Sequence, residues 1–246
     1  MKIHLYTQFF NEKKMAPFFY DHYKNIVDDF FLFDDKSNDG SKELFESLEN
    51  VNVEQFIHSN PNCYIRSVLS FNNNIWKRSR GKADWVILAN IDEHIFHPQL
   101  RLFLKECLDK NVSVLESEGY QMVSEDDPVD NILLCDQFKR GARFKQMDKC
   151  IIFNPNKIQE INFQAGRHGC FPSGDIVMSK KEIKLLHYKL IGIKNYFNRK
   201  QELKQKLDGK LTADHPHGWG HRYFLNYDET LKEFDHFLNE SKILNL

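Results

Sequence analysis

Apolar runs of strand length alternate with amphipathic helical stretches through residues 3–91, and this alternation restricts the chain more than any other feature. Residues 3–10 read as a strand, 16–26 as a helix carrying Phe18, Phe19, Tyr23 and Ile26, and 30–33 as a short apolar strand. Ser41 reads as the cap of a helix with Leu44, Phe45 and Leu48 on one face. Residues 51–57 follow as a third strand, 64–80 as a longer helix and 85–91 as a fourth strand, apolar throughout. A strand covered on both faces reads this way. Strand–helix alternation with short connections builds a mainly parallel sheet with right-handed crossovers, and such sheets bind ligands beyond the carboxyl ends of their strands. Polar clusters should then fall where strands end, and three do: 8–12, 34–39 and 90–93.

The second half changes character. Strands are expected at 112–116, 120–123, 149–153 and 184–190, a bent strand and loop at 161–174, a helix over 192–207 and an amphipathic tail helix over 227–238. No repeat or linker interrupts the chain, so one domain is expected over 1–246: a ligand-binding half at 1–97, a mixed or antiparallel half at 98–195, and a helical tail at 196–246. The expected fold class is α/β, a Rossmann-type, mainly parallel central sheet flanked by helices with a smaller mixed region. Formal net charge is -1, with 34 Lys+Arg dispersed along the chain, so the basic stripe of a nucleic-acid binder is missing. Five cysteines, widely spaced and without a Cys-x-x-Cys, argue against a disulfide framework or zinc ribbon and for reduced thiols in the cytoplasm. No run approaches the ~18 apolar residues of a spanning helix.

Three segments could carry chemistry. In WVILANIDEHIF an apolar strand delivers Asn90, Asp92 and Glu93 to its polar end, and period-two alternation would put Asn90 and Asp92 on one side. Oxygen ligands so placed suit a hard cation such as Mg²⁺ or Mn²⁺, which can bridge phosphates. The bland alternative is a strand end whose carboxylates cap the next helix. In LFDDKSNDGS, Asp34 and Asp35 close the second strand, and Ser37 and Asp39 follow within a turn. Those carboxylates could accept bonds from ribose hydroxyls or a base N–H, or could serve only as Asx turns. In FFNEKK, Asn11 and Glu12 form a polar step after the first strand, either ligand contacts or a helix start.

NEKKMAPFFYDHY, FLFDDKSNDGS and ADWVILANIDEHIF, in that order and spacing, resemble glycosyltransferase family 2 and its relatives, most closely the branch whose metal motif reads Asp-x-Asp-Glu-Phe. IIFNPNKIQEINFQAGRHGCFPSG and KLLHYKLIG are similar to the same branch, so the resemblance runs over about residues 1–195, with a fainter echo in HGWGHRY. It implies a GT-A fold, a nucleotide-sugar donor (a UDP-sugar by analogy) and a divalent metal, Mn²⁺ or Mg²⁺. It implies donor contacts from Asn11, Glu12, Asp34, Asp35, Asp39, Arg66 and Asn90, and a metal held by Asp92 with Asn90 and His187. Glu93 matches the family's acidic residue after the metal aspartate. Two departures stand out: Asn90 replaces the usual aspartate, and His94 replaces the usual aromatic. An amide oxygen can ligate a metal but brings no charge.

An inverting transfer needs a base for the acceptor hydroxyl. Asp175 and His168, flanking a Gly/Pro loop, are favoured over Glu125 and Asp126. The acceptor implied is a glycan or lipid-linked sugar, with peripheral contact at a membrane compatible. His215, His217 and His221, with Gly218 and Gly220, suggest a lid better than a zinc site. Two rivals are carried. A nucleotidyltransferase is disfavoured because no Gly-rich, Lys/Arg-bearing phosphate loop follows the first strand, and a non-catalytic nucleotide-binding module is motivated by Asn90.

Overall fold

A computed structural model describes residues 1–179, 181–207 and 224–246. The first half holds β1 (Ile3–Phe9), α1 (Ala16–Tyr23), β2 (Asp29–Asp34), α2 (Ser41–Glu46), β3 (Val51–Gln55), α3 (Tyr64–Asn74) with a 3-10 turn after it, β4 (Trp85–Leu88), β5 (Glu93–Phe96) and α4 (Leu100–Asp109). It continues through β6 (Val114–Leu115), β7 (Ser117–Ser124), α5 (Leu134–Gln137), β8 (Arg140–Arg143), β9 (Ile152–Phe153), β10 (Ile158–Glu160), β11 (Ser173–Gly174) and β12 (Ile183–Ile191). Helices α6 (Ile193–Leu207) and α7 (Tyr227–Glu240) and the short β13 (Lys242–Ile243) follow.

The central sheet runs β3-β2-β1-β4-β9-β6. β3, β2, β1 and β4 are mutually parallel, and β9 turns back antiparallel to β4 and β6. This is the mainly parallel α/β sheet that the sequence predicts. Alternation along β1 and β4 feeds both faces: Ile3, Leu5, Trp85 and Ile87 pack under α1 and α4, while Tyr6, Val86 and Leu88 pack with Trp76 and Phe153 on the other side. Because β2 and β4 flank β1 on opposite sides, chain direction in the strand order reverses at β1, and the crevice of a doubly wound sheet opens at that switch point.

A second sheet, β13-β8-β7-β12-β5, is mixed, with β12 parallel to β7 and antiparallel to β5. The chain passes from one sheet to the other at residues 89–92. That corrects the expectation of a strand continuing to 91: β4 stops at Leu88, and the backbone N–H of Glu93 closes a turn on the Asn90 carbonyl at 3.0 Å. Asn90 and Asp92 are therefore placed by a turn and not by strand alternation, Asn90 bonding Arg167 and Asp92 facing His187. The cap of α2 also differs from expectation. Gly40 is the capping residue, in a left-handed conformation (φ 88°), and Asp39 Oδ1 accepts the Ser41 N–H at 2.9 Å. An aspartate two residues back reaches the first free amide better than a serine inside the helix.

Candidate functional site

The ends of β1, β2 and β4 lie at one edge of the sheet, since all three strands run in the same direction. The β1 and β2 loops are tied to each other. Asn11 adopts φ 49°, its N–H donates to Ser37 Oγ at 2.9 Å, and its amide both donates to and accepts from Asn38. Asp39 Oδ2 accepts from the Lys13 N–H and Asp34 Oδ1 from the Ser37 N–H, each at 2.9 Å. Asn11, Asp34 and Asp39 thus brace two loops against each other, the Asx-type bonding their turn composition favours.

Beside that brace lies a cleft of about 560 Å³ lined by Phe10, Asp35, Gln55, Phe56, His58 and Lys206. Asp35 is buried at its wall. His58 Nε2 lies 2.7 Å from its Oδ1, and Lys206 Nζ lies 2.6 Å from its Oδ2 and 2.7 Å from its carbonyl. The Lys206 ammonium also stands 3.5 Å from the Phe10 ring centre. Burial lowers the Lys206 amine to about 8, against the pull of Asp35. Arg66 is exposed on the first turn of α3, next to Tyr64, whose hydroxyl donates to Gln8 on β1 at 3.2 Å.

Glu12 faces the next part of the rim. Arg199 of α6 pairs with it at 2.6 Å and also donates to the Phe10 carbonyl. Burial pushes the Glu12 carboxyl up to about 7, opposed by Arg199 and reinforced by the Asp92 charge. β12, central in the second sheet, brings His187 into register with Glu93 on β5 and Gln121 on β7. Gln121 Nε2 donates to the His187 carbonyl at 2.9 Å, which leaves its Oε1 to accept the His187 Nδ1–H at 2.8 Å. His187 Nε2 then faces Asp92 Oδ2 at 3.3 Å. Burial would raise the Asp92 carboxyl, but His187 outweighs it and holds the group below its ordinary range.

Glu93 has a role different from that of a residue meeting substrate. It is fully buried, its Oε2 accepts from the Asn90 N–H at 2.9 Å and from Arg167 at 2.5 Å, and its Oε1 accepts from Lys149 at 2.7 Å. Burial alone would raise its carboxyl; Arg167 and then Lys149 hold it far below the ordinary range. A carboxylate so clamped neither reaches an acceptor nor takes a proton, so its assignment as catalytic is corrected to anchoring the 89–92 turn. Asp175 is corrected too. It pairs with Lys157 at 3.2 Å, in a segment that Asn156 ties to the Ala83 carbonyl at 2.8 Å, at the amino end of β4. That is the opposite edge of the sheet from Asp92.

His168 does stand near the rim. It is exposed, two residues beyond Gly166 and beside Arg167, which bonds Asn90 Oδ1 at 3.0 Å. Its Nδ1–H donates to the Gln146 carbonyl at 2.7 Å, leaving Nε2 as a lone-pair atom. Burial, then Lys149, lowers its basicity. Gly166 sits at φ 69°, and a Cβ there would fall 2.5 Å from His168 Nε2, so this turn requires glycine. His94 fills the aromatic position as an aromatic would, stacked on His22 at 4.5 Å and edge-on to Tyr188 at 5.0 Å.

For a divalent metal the donor set fits in part. Asp92 and His187 offer an oxygen and an oriented imidazole nitrogen side by side, with Gln121 in the outer position that fixes a ligating histidine. Asn90 does not join them, because its oxygen is engaged by a guanidinium. No group of three His, Cys, Asp or Glu side chains placed for a metal occurs among the described residues. His215, His217 and His221, with Gly218 and Gly220, lie outside the described residues. Sequence reasoning missed Lys149, Arg167, Arg199, Lys206, His58 and Gln121. A lone lysine opening the apolar run 149–153, and two cations seven apart on one helix face, were the signals available.

No protein-family model matches the chain, and no curated protein matches it. Solved structures do. The crystal structure of Staphylococcus aureus TarS residues 1–349 is 11% identical, with 98% of this chain and 71% of that one covered and a TM-score of 0.47. The same protein in complex with UDP-GlcNAc is 12% identical (98% and 72% covered, TM-score 0.46), and in complex with UDP 12% identical (97% and 71%, TM-score 0.47). Against a longer TarS crystal structure, the chain spans 43% of the length.

Proposed function

We propose that this chain is a glycosyltransferase that moves a sugar from a nucleotide-sugar donor to an acceptor hydroxyl with inversion. The observation that carries this reading is the meeting of the β1, β2 and β4 loops with His187 of the second sheet at one switch-point rim, where Asp92 and His187 stand 3.3 Å apart. The cleft at Phe10, Asp35 and His58 has the volume and the mixed apolar and polar lining for a nucleoside. From there the diphosphate would run past Glu12 and Arg199 to Asp92. A divalent metal, Mn²⁺ or Mg²⁺, would be held by Asp92 and His187 and would supply positive charge to the leaving nucleoside diphosphate.

His168 is the base in this scheme. Its Nε2 takes the proton of the acceptor hydroxyl while that oxygen attacks the anomeric carbon and the bond to the diphosphate breaks on the opposite face. One displacement gives inversion. By the family resemblance the donor is a UDP-sugar and the acceptor a glycan or lipid-linked sugar. These residues would act as one catalytic domain in the cytoplasm, compatible with peripheral contact at a membrane. Among the described residues no helix is long and apolar enough to cross a membrane.

The test is a thermal-shift screen of UDP-, GDP-, CMP- and dTDP-sugars with and without Mn²⁺, followed by turnover on the hit. At about 100 times Kd, binding adds about 2.7 kcal/mol, which for a chain of this size is roughly 5–10 °C. Asp92→Ala should abolish the metal-dependent part of the shift. If no donor shifts the melting point, the reading is wrong. Asn90 motivates one other outcome: binding with neither transfer nor donor hydrolysis would identify a nucleotide-binding module.

A further inference from the structure

The charges under the 89–92 turn do not balance. Among the described residues Glu93 is the one carboxylate in contact with two buried cations, Lys149 at 2.7 Å and Arg167 at 2.5 Å, so one negative charge meets two positive ones there. The Arg167 guanidinium also donates to Asn90 Oδ1 at 3.0 Å, which contributes no charge. Arg167 Nε, also buried, has no partner among the described residues. Asp92 acts on Lys149 from farther off, with its carboxylate 3.3 Å from His187. Uncompensated buried charge is costly, and chains that retain it commonly supply the counter-charge from a ligand or pay in stability. Arg167 is moreover held at φ 57°, directly after Gly166 at φ 69°, an arrangement that an arginine adopts only when its surroundings impose it.

We infer that this surplus positive charge is an anion seat: the donor's diphosphate lodges against Asn90, drawn by Arg167 and Lys149, and part of its binding needs no metal. This rests on the donor reading above and deepens it. A carboxylate at position 90 would neutralise the trio as two charges against two, leaving a diphosphate dependent on a cation for attraction. The amide at 90 is then the residue that sets how much of the leaving group's charge the protein itself meets.

Isothermal titration in EDTA tests this, using inorganic pyrophosphate and the nucleoside diphosphate of the donor that shifts melting most. The wild type should bind both without metal. Asn90→Asp, which adds an ion pair to Arg167 but gives up the amide donor to Glu93 Oε1 at 3.4 Å, and whose folding is checked by its melting curve, should weaken metal-free binding by about tenfold or more, from one unit charge at close range in a partly buried site. Its binding should return with Mn²⁺. Arg167→Lys, which keeps the charge, should fall between the two. Equal metal-free affinity in wild type and Asn90→Asp overturns the seat, as does loss of all wild-type binding in EDTA. In both cases nucleotide binding with Mn²⁺ leaves the donor reading standing; no binding under either condition removes both.

Discussion

Replacing Glu93 with Gln separates an anchoring carboxylate from a catalytic one. The substitution keeps the side-chain shape but leaves Lys149 and Arg167, both buried, without a counter-charge, and turns an amide NH₂ toward one of them. Removing one partner of a buried ion pair costs about 3–5 kcal/mol, and the two contacts here, at 2.7 and 2.5 Å, place Glu93→Gln at the upper part of that range. For a chain of this length the melting point should fall by roughly 10 °C or more. The pH dependence has a defined sign. The folded carboxyl lies below its ordinary value of 4.5, so its stabilisation is fully present above that value and is lost as pH falls through the folded value. Glu93→Gln should therefore be less stable than wild type at neutral pH, with the gap narrowing in strong acid. The assays are thermal melting at pH 7 and urea unfolding between pH 3 and pH 7, both followed by circular dichroism. A variant that melts within a degree or two of wild type while losing turnover would refute the anchoring role and restore Glu93 to the chemistry.

His168→Gln should lower kcat by about 10²–10⁴ with little change in KM, whereas Asp175→Asn, at the opposite edge of the sheet, should leave both within twofold; the reverse pattern in steady-state kinetics would exchange their roles. His22 and His94 are buried as neutral rings, His22 lowered to about 4 and His94 further, both by burial first. The unfolded chain takes up their protons first, so stability should fall as pH drops from 6.5 toward 4, by about 2–3 kcal/mol for His22 alone. His94→Phe should flatten that slope in urea midpoints, and an unchanged slope would show that His94 contributes none of it.

The sheet was legible because its signals are local. Apolar runs bounded by turn residues fixed β1 to β4, and the polar clusters at 8–12, 34–39 and 90–93 do lie at one edge. Helix α4 was overlooked although Leu100, Phe103, Leu104 and Cys107 follow its period and are buried. The turn at 89–92 was misread because an apolar run cannot tell a continuing strand from one that leaves the sheet. Partner identity was illegible for a different reason. Glu93 meets Lys149 across 56 residues and Arg167 across 74, and no pattern along the chain pairs such positions. Asp175 and His168 flank the same loop in sequence, yet the β10–β11 hairpin carries one away from the rim and leaves the other beside it.

Helix α6 closes the cleft from very far along the chain: Arg199 reaches Glu12 across 187 residues and Lys206 reaches Asp35 across 171. A polypeptide emerging from the ribosome can pair β1 with β2 and β2 with β3 early, and β4 joins once Trp85 can reach Ile3, but the cleft wall at Asp35 must wait for α6. Long-range closures of this kind come late and slowly. Ligand competence should therefore mature as the final event of folding, after the hydrophobic layers are already set.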